Sequence, residues 1–122
     1  MNKKTLLIVD DSRVSRMMIR ALVLERQPEW QIFEAGNGEE AINQVRENMP
    51  DYVTMDMNMP GMDGVAASEQ IRQAYPTTKI VLLTANIQES SRQKAQQLGL
   101  AFVTKPITAA CIDQALAFYA QP

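Results

Sequence analysis

The chain has 122 residues, enough for one packed domain and too few for two. Twelve basic residues against 14 acidic ones, net charge −2 and no Lys/Arg run leave no electrostatic footprint for nucleic acid. With no histidine and one cysteine, Cys111, Ser-His and Cys-His catalysis, a tetrahedral N/S zinc site and an internal disulfide framework all drop out, so any metal must be a hard cation held by oxygen.

The first predicted strand is "TLLIV" (5–9), an apolar run too short for a secretory signal and ending in Asp10-Asp11-Ser12. No segment approaches bilayer length, and the single cysteine fits a reducing compartment, so a cytoplasmic protein is expected. Residues 13–26 follow as a helix, with Val14, Met17, Met18, Ala21, Leu22 and Leu24 at helical spacing. "WQIFEA" (30–35) reads as a strand. Residues 37–48 read as a helix, with an Asn/Gly start and acids in the first turn.

The third strand, "YVTM" (52–55), runs into Asp56 and then the turn sequence "MPGMDG" (59–64). Pro60, Gly61 and Gly64 shape that turn, and Asp63 is expected to cap the next helix, 64–75. "KIVLLT" (79–84) is the fourth strand and 87–98 the fourth helix, stopped by Gly99. "LAFVT" (100–104) is the fifth strand, leading through Lys105-Pro106 to a helix over 107–120.

Strands alternating with helices predict a doubly wound α/β domain with a five-stranded parallel sheet covered on both faces. The near-continuous apolar runs "TLLIV", "YVTM" and "KIVLLT" suit strands buried on both sides. In such sheets the working site lies outside the carboxyl ends of the strands. Asp10, Asp11, Asp56, Thr84 and Lys105 all fall there. Taken singly, each has a bland reading: a helix N-cap, a strand terminator or a solvated charge. Together, three acids repel one another, and a pair ~4 Å apart costs about 4 kcal/mol at an effective dielectric of about 20. A divalent, oxygen-loving cation relieves that repulsion; Mg²⁺ suits it, since it accepts one or two carboxylates, keeps waters and binds phosphate oxygens.

"LLIVDDSRVSRMMI", "PDYVTMDMNMPGMDG", "IVLLTA" and "FVTKPI" occur in the order and near the spacing of the receiver domain of bacterial two-component response regulators. The chain resembles that family over essentially its whole length, and the stand-alone, chemotaxis-type receivers in particular. The resemblance implies a flavodoxin-like fold with strand order 2-1-3-4-5 and a single receiver domain over 1–122. It implies that Asp56 is the phosphoryl acceptor, and that Mg²⁺ is held by Asp10, Asp11, Asp56 and the backbone carbonyl of Asn58. Thr84, the Ala85 N–H and Lys105 would meet the acyl phosphate. Phe102 occupies the switch-aromatic position, where many members carry Tyr and its outward hydroxyl. Asn58 and Asn86 sit where the family tunes dephosphorylation.

The implied partners are a sensor histidine kinase or phosphotransfer protein, and a downstream effector docking on the fourth helix, fifth strand and fifth helix. Dimerisation on phosphorylation is a further expectation; direct nucleic-acid contact and membrane insertion are not. On the fifth helix, Cys111, Ala115 and Phe118 are expected to form an exposed apolar stripe if Ile112, Leu116 and Tyr119 face the core. A wider buried face is the competing reading. Met55, Met57, Met59 and Met62 around the acceptor loop are expected to be packing residues.

Two other classes compete. Asp56-Met57-Asn58 superficially matches the Asp-x-Asp motif of haloacid-dehalogenase-like phosphatases, but Asn58 cannot serve as their second, acid–base carboxylate. A nucleotide-binding module needs Gly, Ser and Thr in its first loop, whereas "DDSRVSR" places two carboxylates there. Within the family, the chain could instead be the receiver portion of a longer transcription factor or enzyme, or a receiver whose acceptor is silent. Met1 reads as a natural start and "AQP" as either a terminus or a linker, while the filled site positions argue against silence.

Overall fold

The computed structural model describes residues 3–85 and 89–121, with residues 89–91 described at the backbone only. Five strands and five helices alternate among the described residues. They run β1 (Thr5–Val9), α1 (Arg13–Arg26), β2 (Gln31–Ala35), α2 (Gly38–Asn48), β3 (Tyr52–Asp56), α3 (Gly64–Ala74), β4 (Lys79–Thr84), α4 (Glu89–Gln97), β5 (Ala101–Thr104) and α5 (Ala109–Tyr119). The sheet order is β2-β1-β3-β4-β5, with every neighbouring pair parallel.

The period-two alternation of the strands divides the core in two. Leu7, Val9, Val53, Met55, Ile80 and Leu82 point to one face, where α2 supplies Ala41 and Val45, α3 supplies Ala67 and Ile71, and α4 supplies Ala95. Leu6, Ile8, Val81, Leu83 and Val103 point to the other, against Ile19 and Val23 of α1 and Cys111, Ile112, Ala115 and Tyr119 of α5. Helices on both faces of a parallel sheet follow from right-handed crossovers that change direction at β1.

Helix starts are set by side-chain caps that accept a backbone N–H three residues on. Ser12, Asn37, Asp63 and Thr108 do this for α1, α2, α3 and α5. The cap at Thr108 is why α5 begins at Ala109 and not at 107, as the sequence suggested. Residues 86–88, including the proposed tuning position Asn86 and the first two residues expected for the fourth helix, lie outside the described residues. Gly99 adopts φ 73°, the left-handed stop expected after α4.

One helix face differs from expectation, and a second carries exposed apolar residues. The stripe of Cys111, Ala115 and Phe118 is not exposed: Cys111 and Ala115 are buried and Phe118 is half-buried. Residues 111, 112, 115 and 119 fall within one arc of about 100° on the helix, and that whole arc meets the sheet. The wider buried face is therefore correct, and what α5 shows outward is Ala109, Ala110, Asp113, Gln114 and Ala117. On α1 the apolar spacing marks the helix but mostly not its core face. Ile19 and Val23 are buried, while Val14, Met17 and Met18 are 65%, 59% and 45% exposed.

Candidate functional site

The carboxyl ends of β1, β3, β4 and β5 deliver Asp10-Asp11, Asp56, Thr84 and Lys105 to one edge of the sheet. Asp10, Asp56 and Thr84 are 1%, 2% and 1% exposed, because they close strands buried on both faces, whereas Asp11 opens onto solvent. One carboxylate oxygen from each of Asp10, Asp11 and Asp56 lies within 4.8 Å of the others. Lys105 Nζ stands 3.2 Å from Asp56 Oδ1 and 3.6 Å from Asp10 Oδ2.

Local backbone features hold each group. Asp10 donates its N–H to the Ala35 carbonyl at 3.1 Å, and its Oδ1 accepts the Ser12 N–H at 2.9 Å. Asp10 Oδ2 is buried without a hydrogen-bond partner. Beyond β3 the pairing with β4 continues one residue, Met57 N–H to the Leu83 carbonyl at 3.0 Å. The Asn58 N–H then turns back to Asp56 Oδ1 at 3.2 Å. Lys105 donates its N–H to the Thr84 carbonyl at 2.8 Å and precedes Pro106 through a cis peptide bond.

The loop after Asp56 is pinned from below by Gly64. A Cβ on that residue would come 2.3 Å from the Asp56 carbonyl oxygen and 2.9 Å from Met57 Cα, so only glycine lets α3 start this close. Gly61 adopts φ 81°, a left-handed turn position. Met55, Met57 and Met59 are buried and Met62 packs against the same core, so these methionines are packing residues as expected. Asp63 caps α3 by accepting the Ala66 N–H at 2.8 Å.

Burial is the main force on Asp56 and raises its pKa, with Asp10 pushing the same way; the Asn58 N–H and the Lys105 ammonium pull it down. A buried carboxyl held above its usual range beside two other acids is an arrangement short of positive charge. The donor set is all oxygen and includes a buried oxygen that makes no hydrogen bond, Asp10 Oδ2. It fits a hard divalent cation.

Ala85 lies exposed just past β4. Phe102 on β5 is half-buried against the α2–α3–α4 core and carries the Arg92 guanidinium of α4 over its ring, 4.7 Å from the centroid. Sequence reasoning did not anticipate that contact. It also missed Arg16, whose Nη1 donates to the Asp10 carbonyl at 2.6 Å; a cation one turn into the helix after two acids is the available signal. A cavity of about 530 Å³ lies at the opposite edge, around Trp30, Tyr52 and Tyr119. No acid cluster accompanies it among the described residues, so the site is identified by its chemistry and not by volume.

Comparison with known proteins gives a consistent answer. The family model described as "Response regulator receiver domain" matches residues 6–117. The chain is 38% identical over 112 residues to the chemotaxis protein CheY of Bacillus subtilis (strain 168), covering 91% of this chain and 92% of that protein. It is 42% identical over 92 residues to protein-glutamate methylesterase/protein-glutamine glutaminase 3 of Hahella chejuensis, covering 75% of this chain but 26% of that protein. Its fold superposes with TM-score 0.86 on a LuxR-family two-component response regulator from Aurantimonas sp. SI85-9A1, at 33% identity, covering 98% and 86% of the two chains. With the acids, the lysine and the strand order all in place, the chain belongs to the response regulator receiver domain family.

Proposed function

We propose that Asp56 is the phosphoryl acceptor of a signalling switch, taking the group from the phosphohistidine of a sensor kinase or phosphotransfer protein. The observation that carries this is the meeting of Asp56 with Asp10, Asp11 and Lys105 at one sheet edge. An Asp56 oxygen attacks phosphorus, the P–N bond breaks, and the histidine nitrogen leaves with a proton from solvent. Asp10, Asp11, Asp56 and the Asn58 carbonyl would hold Mg²⁺. When bound, that ion neutralises phosphoryl charge and aligns the group for in-line transfer.

Lys105, already beside the Asp56 carboxylate, would pair with the phosphoryl group. The Thr84 hydroxyl and Ala85 N–H would donate to the acyl phosphate. Movement of Thr84 then opens room for Phe102 and transmits the change to the α4–β5–α5 surface, where an effector or a second copy docks. The Arg92 guanidinium over the Phe102 ring, which links α4 to β5, supports that route. On this reading the chain is a switch, catalysing only its own phosphorylation and dephosphorylation. The donor would dock on the exposed stripe of Val14, Met17, Met18 and Ala21, on the helix that starts just after Asp11.

A single receiver domain in the cytoplasm is the arrangement we favour; no described helix is long and apolar enough to cross a membrane. Similarity to one segment of a methylesterase supports the second reading, a receiver portion of a longer regulator. The deciding experiment is intact-mass spectrometry after incubation with acetyl phosphate, with and without Mg²⁺, on wild type and Asp56→Asn. A single Mg²⁺-dependent phosphoryl adduct, absent from the variant, is expected. An adduct that survives in Asp56→Asn would show that another residue is the nucleophile.

A further inference from the structure

Asp10 is held at nearly every polar atom. Its N–H is taken by Ala35, its Oδ1 by Ser12, and its backbone carbonyl by Arg16 Nη1 at 2.6 Å. Arg16 is itself fixed, with Nε 2.9 Å from Glu34 Oε1 on β2. The other Glu34 oxygen, Oε2, meets Arg20 Nη1 at 3.2 Å. A path of charged groups therefore runs from β2 through α1 to the peptide linking Asp10 and Asp11. That peptide sets the direction in which Asp11 leaves the strand, and Asp11 itself lies exposed.

We infer that Arg16, oriented by Glu34, is a positioning residue for the cation site: it fixes the Asp10–Asp11 peptide so that the Asp11 carboxylate stands ready opposite Asp56. The inference rests on the reading of Asp10 and Asp11 as cation ligands. Glu34 has a second part in it. A guanidinium so close to a cation site opposes divalent binding, and the Glu34 carboxylate offsets that charge while keeping the donor aimed. The planar fork of arginine makes both contacts at once, Nε to the carboxylate and Nη1 to the carbonyl, which lysine cannot reproduce.

The sign of the effect separates positioning from simple charge. On charge alone, Arg16→Gln would tighten Mg²⁺ binding by removing a nearby cation. Loss of positioning weakens it. Mg²⁺ titration calorimetry on Arg16→Gln, Arg16→Lys and Glu34→Gln is the test. Arg26→Gln, which breaks the Arg26–Asp113 pair at the far end of the same helix, is the control. Melting temperatures in EDTA report folding of each variant. Arg16→Gln is expected to lose about tenfold or more in Mg²⁺ affinity, the range for outer-sphere partners of metal ligands. Arg16→Lys should recover part of that loss, Glu34→Gln should also bind more weakly than wild type, and Arg26→Gln should be unchanged. The half-saturating Mg²⁺ for labelling by acetyl phosphate should rise in step, with the rate at saturating Mg²⁺ largely restored.

Wild-type affinity or tighter binding in Arg16→Gln overturns the inference, as does an equal loss in Arg26→Gln. Should Arg16→Gln fail to fold, wild-type affinity in Glu34→Gln overturns it instead. Each of those outcomes leaves the acidic site itself standing. Absence of Mg²⁺ binding by wild type would overturn the inference together with the reading beneath it.

Discussion

A charge on Asp56 would sit in a place that resists one. Burial raises its pKa and the Lys105 and Asn58 contacts only partly counter this, so the ionised form costs stability in the metal-free protein. A raised folded-state pKa means the unfolded chain loses its proton first as pH rises. The penalty is therefore absent well below the ordinary value of 3.8 and fully present once pH exceeds the raised value. Asp56→Asn, which keeps an oxygen for the Asn58 N–H, should raise the urea midpoint in EDTA at pH 7. That gain should shrink as pH falls toward and below 3.8. Gly64 makes a second residue-scale case. Gly64→Ala sets a methyl 2.3 Å from the Asp56 carbonyl oxygen. It should cost about 1–3 kcal/mol in urea unfolding, in the range of overpacking, and slow labelling by acetyl phosphate by moving Asp56.

At the scale of elements, the two helices on one face of the sheet differ in what they bury. α5 buries a broad arc, so Ala115→Asp puts a carboxylate into the buried apolar cluster that also holds Val81, Leu83 and Tyr119. Equilibrium unfolding should show a loss of about 3 kcal/mol or more, and any effect on partner binding would follow from that loss. α1 turns apolar residues outward. Met17→Asp is therefore expected to leave stability within about 0.5 kcal/mol of wild type. It should also leave labelling by acetyl phosphate unchanged. Transfer from any histidine kinase that phosphorylates wild type should fall, read as phosphoprotein formed per minute. A large stability loss would place that stripe in the core after all.

Taken as a whole molecule, the domain couples four strand ends through one acidic site, so ligand binding there stabilises everything the strands hold. If the acids bind Mg²⁺, the melting temperature should climb with Mg²⁺ concentration. The gain should reach about 2.7 kcal/mol at a concentration one hundred times the dissociation constant, and EDTA should reverse it. Asp11→Asn should flatten that dependence while leaving the EDTA melting temperature nearly unchanged, since Asp11 is exposed.

Much of this was legible in the residue order. Strand and helix identity came from apolar periodicity, and Asp10, Asp11, Asp56, Thr84 and Lys105 as candidate site residues from the rule that strand ends in a parallel sheet carry the chemistry, because both depend on local spacing and topology; Asn58, Ala85 and Phe102 came only from the family resemblance. The Asp63 cap and the Gly99 stop were likewise local. Which side of α1 and α5 meets the sheet was decided only by tertiary packing. Spacing marks a face, but the neighbouring helix, strand and ion pairs determine which face is buried. The Arg16–Glu34 clamp and the Arg92–Phe102 contact also needed the fold. Arg16 and Glu34 are 18 positions apart in the chain, and only the pairing of β1 with β2 brings them together. Short-range chemistry was thus determined by the sequence alone, and long-range contact by the tertiary structure, because contact between distant residues depends on how the closed chain packs and not on any one segment's pattern.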